Sequence, residues 1–220
     1  MHAGGGPVEG MDAAAVEALR RIDRHHQSGD SAACVAALHA LAGEADRQPR
    51  LLQELGLRYT LLGLHVEAER CYAQAAALRP DDPAGLYNHA TALIALGRLD
   101  DAEALLDRVV ELSPGDGDAW YNRATLRRQT PQRNHVPQLE RQLARLAPGD
   151  ADEIALCYAL AKEREDLGDH ANAFAALRRG ADARRRRLQY RVEDDLETMR
   201  LIADTFDAEF LARTHAGHDD

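Results

Sequence analysis

PRLLQELGLRYTLLGLHVEAERCYAQAAALRPDD, residues 49–82, is the stretch that decides the fold. Leu52, Leu55, Gly56 and Tyr59 stand at its positions 4, 7, 8 and 11, and Ala68, Tyr72, Ala75 and Pro80 at positions 20, 24, 27 and 32. Leu55, Gly56 and Tyr59 lie 3, 4 and 7 residues after Leu52, and Tyr72 and Ala75 lie 4 and 7 after Ala68, which puts each set on one face of a helix. Gly63 separates the halves, and a glycine can leave a helix in a left-handed conformation. Pro80 marks the stop of the second helix. The small residues at 8, 20 and 27 let the two helices approach, and the large ones at 4, 7, 11 and 24 fill the space between helix pairs.

The same marks recur along the chain. Pro80, Pro114 and Pro148 are each 34 residues apart, and so are Gly29, Gly63 and Gly97. A 34-residue period with a mid-repeat glycine and a terminal proline resembles the tetratricopeptide helix–turn–helix. The expected fold is therefore all-α, a right-handed α-solenoid of such repeats near 15–48, 49–82, 83–116, 117–150 and 154–187. The third repeat places Leu86, Ala90, Leu93, Ala102, Leu106 and Val109 at the core positions. The fourth keeps Trp120, Ala124, Leu143 and Pro148, but Thr130, Pro131, Asn134, His135 and Pro137 break its middle and predict an irregular loop at 129–136. The fifth is displaced by three residues; Ala161, Ala173, Leu177 and Gly180 then fall on positions 8, 20, 24 and 27. Cys34 sits at position 20 of a weaker first repeat that caps the stack.

Beyond residue 188 the pattern changes. Val192, Leu196, Met199, Ala203, Phe206 and Phe210 share one face of a predicted amphipathic helix at about 191–213, within a linker segment at 189–213. Its stripe needs a cover: the last repeat, a following domain or a partner. Residues 1–10 and 214–220 read as loose ends, the first as a disordered N-terminus.

Composition agrees. Of 220 residues 41 are alanine and only 5% are aromatic, which favours helices over strands. Lys162 is the one lysine among 27 basic residues, and the net charge is −10. An acidic chain is a poor general nucleic-acid binder, so no nucleic-acid partner is expected. No apolar run reaches the ~18 residues of a membrane span, and no secretory signal opens the chain, so no membrane partner and a cytoplasmic location are expected. Three cysteines without motif spacing, Cys34, Cys71 and Cys157, read as reduced core thiols. The arginine and alanine bias points to a GC-rich bacterial genome.

The concave groove of a tetratricopeptide solenoid is lined by positions 2, 5, 6, 9, 12 and 13 of the first helices. The residue types carried there are Tyr87, Asn88 and Thr91, then Tyr121, Asn122, Thr125 and Arg128. These seven form the predicted peptide-binding groove for a protein or peptide partner. The Tyr-Asn pair recurs one repeat apart. Two readings stand: a ladder of amides that grips a peptide backbone, or amides that bond a neighbouring helix. The chaperone-type carboxylate clamp is rejected, because Gln53, Leu57 and Asp118 fill its positions. Arg178, Arg179 and Arg184 to Arg187 form a basic run that spreads around a helix and reads as a solvated helix end or an interdomain contact rather than a site for phosphate, an acidic partner or nucleic acid. His215 and His218 with Asp219 and Asp220 have ligand types but lie in a tail, and no metal site is expected. No catalytic set and no cofactor site are expected either.

The C-terminal half resembles a second family, the bacterial tetratricopeptide-repeat sulfotransferases. The resemblance rests on Leu126 through Gln129-Thr130-Pro131 to Asn134-His135, then Cys157-Tyr158-Ala159-Leu160-Ala161-Lys162, Asp166-Leu167-Gly168, Ala173-Phe174, Arg184 to Leu188, and Phe206-Asp207-Ala208-Glu209-Phe210-Leu211. It implies a substrate- or partner-recruiting region ahead of a sulfotransferase domain that uses the activated sulfate donor PAPS. The chain ends at Asp220, about where such a domain would begin, and holds no Arg-Ser-Gly loop, so no catalytic residue is carried over. The alternatives are a stand-alone cytoplasmic adaptor, or a self-assembling solenoid that forms a homodimer through its C-terminal stripe.

Overall fold

The structure is a computed structural model that describes residues 11–147 and 149–213. All regular structure there is helical, in twelve helices, and none is long and apolar enough to cross a membrane. The first ten run α1 Ala13–Gln27, α2 Ser31–Ala42, α3 Pro49–Leu61, α4 His65–Leu78, α5 Pro83–Ala95, α6 Leu99–Leu112, α7 Gly117–Thr125, α8 Val136–Arg145, α9 Glu153–Asp166 and α10 His170–Arg187. They form the expected pairs. α3, α5 and α7 start 34 residues apart at Pro49, Pro83 and Gly117. Pro49 and Pro83 open their helices, where a missing N–H is harmless. Asp12, Asp30 and Asp116 cap theirs by accepting the amides of Ala15, Ala33 and Ala119.

The turn glycines do what their position requires. Gly63 has φ +73° with open space around it, and Gly29, Gly97 and Gly168 share that conformation. Here backbone handedness, not crowding, demands glycine. Gly56 is the opposite case: a Cβ there would lie 2.6 Å from the Tyr72 ring. Positions 8 and 24 of one repeat thus interlock.

α1 packs on α2, α3 on α4 and α5 on α6, and second helices also pack on the first helix of the next pair, α4 on α5, α6 on α7 and α8 on α9. Leu52, Leu55, Tyr59, Ala68, Tyr72 and Ala75 sit in one core cluster with Leu38 and Ala92. Leu86, Ala90, Leu106 and Val109 form the next, with Ala119. Cys34, Cys71 and Cys157 are buried and unpaired, and burial raises all three thiols, Cys71 to about 11.

The fourth pair departs from the rest. α7 stops at Thr125, and the irregular segment runs 126–135, starting three residues before the predicted loop. Thr130 and Arg133 exchange backbone hydrogen bonds in it. α9 packs against both α7 and α8. The close approach to α7 depends on a small residue, since a Cβ on Gly117 would meet Ala155 at 3.0 Å.

The last repeat corrects the core assignment. Ala161, Ala173 and Gly180 are buried, and a Cβ on Gly180 would meet Cys157 and the Tyr158 ring at 2.9 Å. Leu177, expected at a core position, is 47% exposed.

Contacts divide the chain between Ala183 and Arg184. The second unit contains the end of α10, then α11 Val192–Thr205 and α12 Ala208–Arg213. The single predicted helix at 191–213 is thus two. Phe206 turns out of helical geometry at φ −100°, ψ 50°, and Asp207 caps the second by accepting the Phe210 amide at 2.7 Å. The rings of Phe206 and Phe210 meet edge to face across the break. Val192, Leu196, Met199 and Phe206 are exposed. Arg185 lies over the Tyr190 ring, whose hydroxyl donates to Asp195. The N-terminal segment 1–10, Pro148 and the tail 214–220 with its histidines lie outside the described residues.

Candidate functional site

The seven predicted groove residues divide into three groups. Asn88 and Asn122 bond neighbouring helices: Asn88 Nδ2 donates to Gln53 Oε1 at 3.0 Å, and Asn122 Nδ2 donates to the Tyr87 hydroxyl at 2.8 Å. Both bonds run from position 6 of one repeat to position 5 of the repeat before, so the amides form rungs between α3, α5 and α7. Tyr87 is buried by that arrangement, and burial raises its phenol above its ordinary range. Thr91 and Thr125 direct their hydroxyls to backbone carbonyls of their own helices.

Arg128 is placed by the sequence on the first helix of the fourth repeat, but that helix ends at Thr125 and Arg128 stands exposed in the following loop. The loop is pulled away by α9. The Gln129 amide donates to Asp166 Oδ2 at 2.8 Å, Lys162 Nζ donates to the Arg127 carbonyl and pairs with Asp166, and His135 Nδ1 lies 2.9 Å from Glu163 Oε1. Glu163 is 1% exposed. Arg123 bonds both Asp107, which is half-exposed, and His135, so a polar network joins α6, α7, the loop and α9.

Tyr121 and Thr125 are the predicted residues that the structure brings to a cavity. A cleft of about 480 Å³ is lined by both, by Tyr158, Ala161, Lys162 and Glu165 of α9, and by His170, Ala173, Phe174 and Leu177 on α10. Tyr121 has no rung partner: the turn glycine Gly168 sets the register of the fifth repeat, and its position 6 is Ala159. Tyr121 is left 41% exposed in the lining of the cleft. Phe174 is 63% exposed. Lys162 is neutralised by Asp166, and Glu165 has no ion-pair partner among the described residues. Among the described residues no three His, Cys, Asp or Glu side chains gather as a metal site. The cleft offers shape, aromatic surface and one free carboxylate.

Sequence reasoning missed Tyr158, Lys162 and Glu165. The signal was present: in the shifted register they fall on positions 5, 9 and 12, the groove positions. Leu177 carried no such signal, because its position 24 is buried in the inner repeats, as Tyr72 and Leu106 are, whereas Phe174 stands at position 21, where the inner repeats carry Glu69 and Glu103.

Residues 61–128 match the family model described as tetratricopeptide repeat. No curated protein sequence matches the chain. Solved structures do. A MamA crystal structure is 16% identical over 82% of this chain and 99% of its own, with a TM-score of 0.58. The MamA fragment 41-end from Desulfovibrio magneticus RS-1 is 18% identical over 80% of this chain and 98% of its own, with a TM-score of 0.58. Nearly identical TPR-like repeats from Podosopora anserina are 17% identical over 82% of this chain and 100% of their own, with a TM-score of 0.59. At such identity the likeness speaks to fold alone. Together with the helix pairs and their 34-residue spacing, it establishes an all-helical fold like that of tetratricopeptide solenoids, within which residues 61–128 match the repeat family itself.

Proposed function

We propose that the chain is a protein-binding scaffold that takes a protein or peptide partner along the face of its first helices. Tyr87, Asn88, Thr91, Tyr121, Asn122, Thr125 and Arg128 border that path, and the cleft at Tyr121 and Thr125 is its anchoring point. The observation that carries this reading is the cleft itself, a concavity with exposed aromatic and aliphatic walls. Placing a photo-crosslinking benzoylphenylalanine at position 121 in cells tests it, with the same residue at exposed position 20 as control. A discrete adduct at 121 is expected. Equal or no crosslinking at both positions rejects the anchoring point.

A finer reading attaches the scaffold to a bacterial sulfotransferase. It is supported by the way the resembling segments meet in space: Gln129 and His135 of the loop are held by Asp166 and Glu163 of α9. The phosphosulfate of PAPS would need a loop after a strand, and the described residues include no strand, so none of them is assigned to it. The coding DNA beyond Asp220 decides: a strand followed by Arg-Ser-Gly-Thr is expected, and a stop codon favours the stand-alone adaptor. Three buried free thiols suit a reducing cytoplasm. A homodimer held by α11 alone is disfavoured by size. A 14-residue helix is about 21 Å long. Two facing stripes about 10 Å wide bury roughly 400 Å², against about 1,200 Å² for a stable interface.

A further inference from the structure

The inner repeats show what normally occupies the position of the cleft. In repeats two and three, residues at positions 5, 21 and 24 carry the first helix of the repeat that follows, together with the loop after α7 in the second case. α5 does this on repeat two: its Asn88 bonds Gln53, its His89 bonds Glu69 at 3.2 Å, and Tyr72 is buried beneath it in one cluster with Ala92. α7 and the loop after it do the same on repeat three. There Asn122 bonds Tyr87, Arg127 and Arg133 pair with Glu103, and Leu106 is buried in one cluster with Ala119. The counterparts in repeat five are Tyr158, Phe174 and Leu177, and all three line the cleft. Position 21, an acid that receives His or Arg in both inner repeats, is here the exposed Phe174.

We propose that this cleft is a seat for one amphipathic helix of a partner protein, docked on α9 and α10 as α5 docks on α3 and α4. This deepens the scaffold reading and rests on it. The chemistry of the seat describes the guest. A helix of about 13 residues, the length of α5, presents apolar side chains at i, i+3 or i+4, and i+7. Opposite Phe174 it carries an aliphatic residue rather than the His or Arg that the inner acids select, because a cation there would be desolvated without a counter-charge. At the point facing Tyr158 it carries a small residue, as α5 carries Gly85 against Gln53, where a Cβ would come within 2.8 Å. A donor near its exposed edge would meet the Tyr121 hydroxyl or the Glu165 carboxylate.

The probe follows from the fold. A fluorescein-labelled peptide of residues 83–96 with His89→Leu and solubilising lysines at its ends models the guest. Its parent, which keeps His89, and a scrambled peptide are the controls. Anisotropy titrations with the full chain are expected to give saturable binding of the His89→Leu peptide, at least tenfold weaker binding of the parent, none of the scramble, and a gain of helix by circular dichroism. Phe174→Glu and Leu177→Glu, both on exposed side chains, should each weaken binding at least tenfold while leaving the thermal midpoint within a degree or two. Equal affinity for the parent and His89→Leu peptides overturns the proposal. So does binding unaffected by Phe174→Glu. If a panel of extended, proline-containing peptides binds at Tyr121 while no helical peptide does, the helix seat fails and the scaffold reading survives. If neither class binds, both fail. Self-association of the chain that Leu177→Glu abolishes would assign the seat to a second copy instead, and overturns it.

Discussion

Replacing Gly56 by alanine isolates the rule that makes these helix pairs close. In a free helix the change would stabilise by about 1 kcal/mol, because glycine is the poorer helix former. In this protein the new methyl would lie 2.6, 2.7 and 2.8 Å from three carbons of the Tyr72 ring. Ordinary carbon–carbon contact is about 3.5–4.0 Å, so the ring or the helix has to move by about 1 Å. Tyr72 is 3% exposed and sits in the first core cluster, which leaves the ring little room to turn aside. Overpacking of that kind costs about 1–3 kcal/mol. Against the gain in helix propensity, the net expectation is a loss of about 0–2 kcal/mol. The assay is urea unfolding followed by circular dichroism, with hydrogen exchange to locate the loss at α3 and α4. The decisive comparison is the same change in a Tyr72→Leu background, where the smaller side chain opens space. There Gly56→Ala should be neutral or stabilising, a coupling of about 2 kcal/mol between the two positions. If Gly56→Ala costs the same in both backgrounds, the interlock of positions 8 and 24 is not what demands glycine.

Gly63→Ala tests the other reason for a glycine: φ is +73° and nothing lies within 4 Å, so a loss of about 1–2 kcal/mol from the left-handed backbone alone is expected, with Asn tolerated better than Ala in the same unfolding assay. Glu163→Ala should cost about 1–3 kcal/mol, because it removes the buried acceptor of the His135 backbone amide and the partner of its ring, and hydrogen exchange should show the 126–135 loop opening first. Burial raises Tyr59 and Tyr72 to about 12 from an ordinary 10. The fold therefore favours their neutral form, and this stabilisation is complete below pH 10 and lost as pH rises from 10 to 12, by about 1.4 kcal/mol per unit and ring. Tyr72→Phe should flatten that alkaline slope in a pH series of unfolding midpoints.

The residues that make the repeats readable are those whose role is local. A glycine that must take a positive φ, a proline at a helix start and a small residue at a close crossing are constrained by their own backbone or by a neighbour at fixed spacing. The 34-residue marks at Gly29, Gly63 and Gly97 therefore announce the helix pairs without any coordinates, and the shift at Gly168 announces a longer fourth connection. The two groove tyrosines were legible only in part, since Tyr87 and Tyr121 hold the same repeat position. Whether a rung partner follows one repeat later separates them: Asn122 covers the first, while Ala159 leaves the second exposed.

The sequence by itself determined the period, the all-helical class and the small-residue contacts, because helix periodicity and turn conformation are short-range properties. Tertiary structure alone decided the rest. It committed Asn88 and Asn122 to neighbouring helices, drew Arg128 off its helix through the grip of α9 on the loop, buried Glu163 beside His135, and left Phe174 and Leu177 at the cleft. Each of these depends on which surface another element covers, and coverage is a sum over distant parts of the chain that no local pattern records.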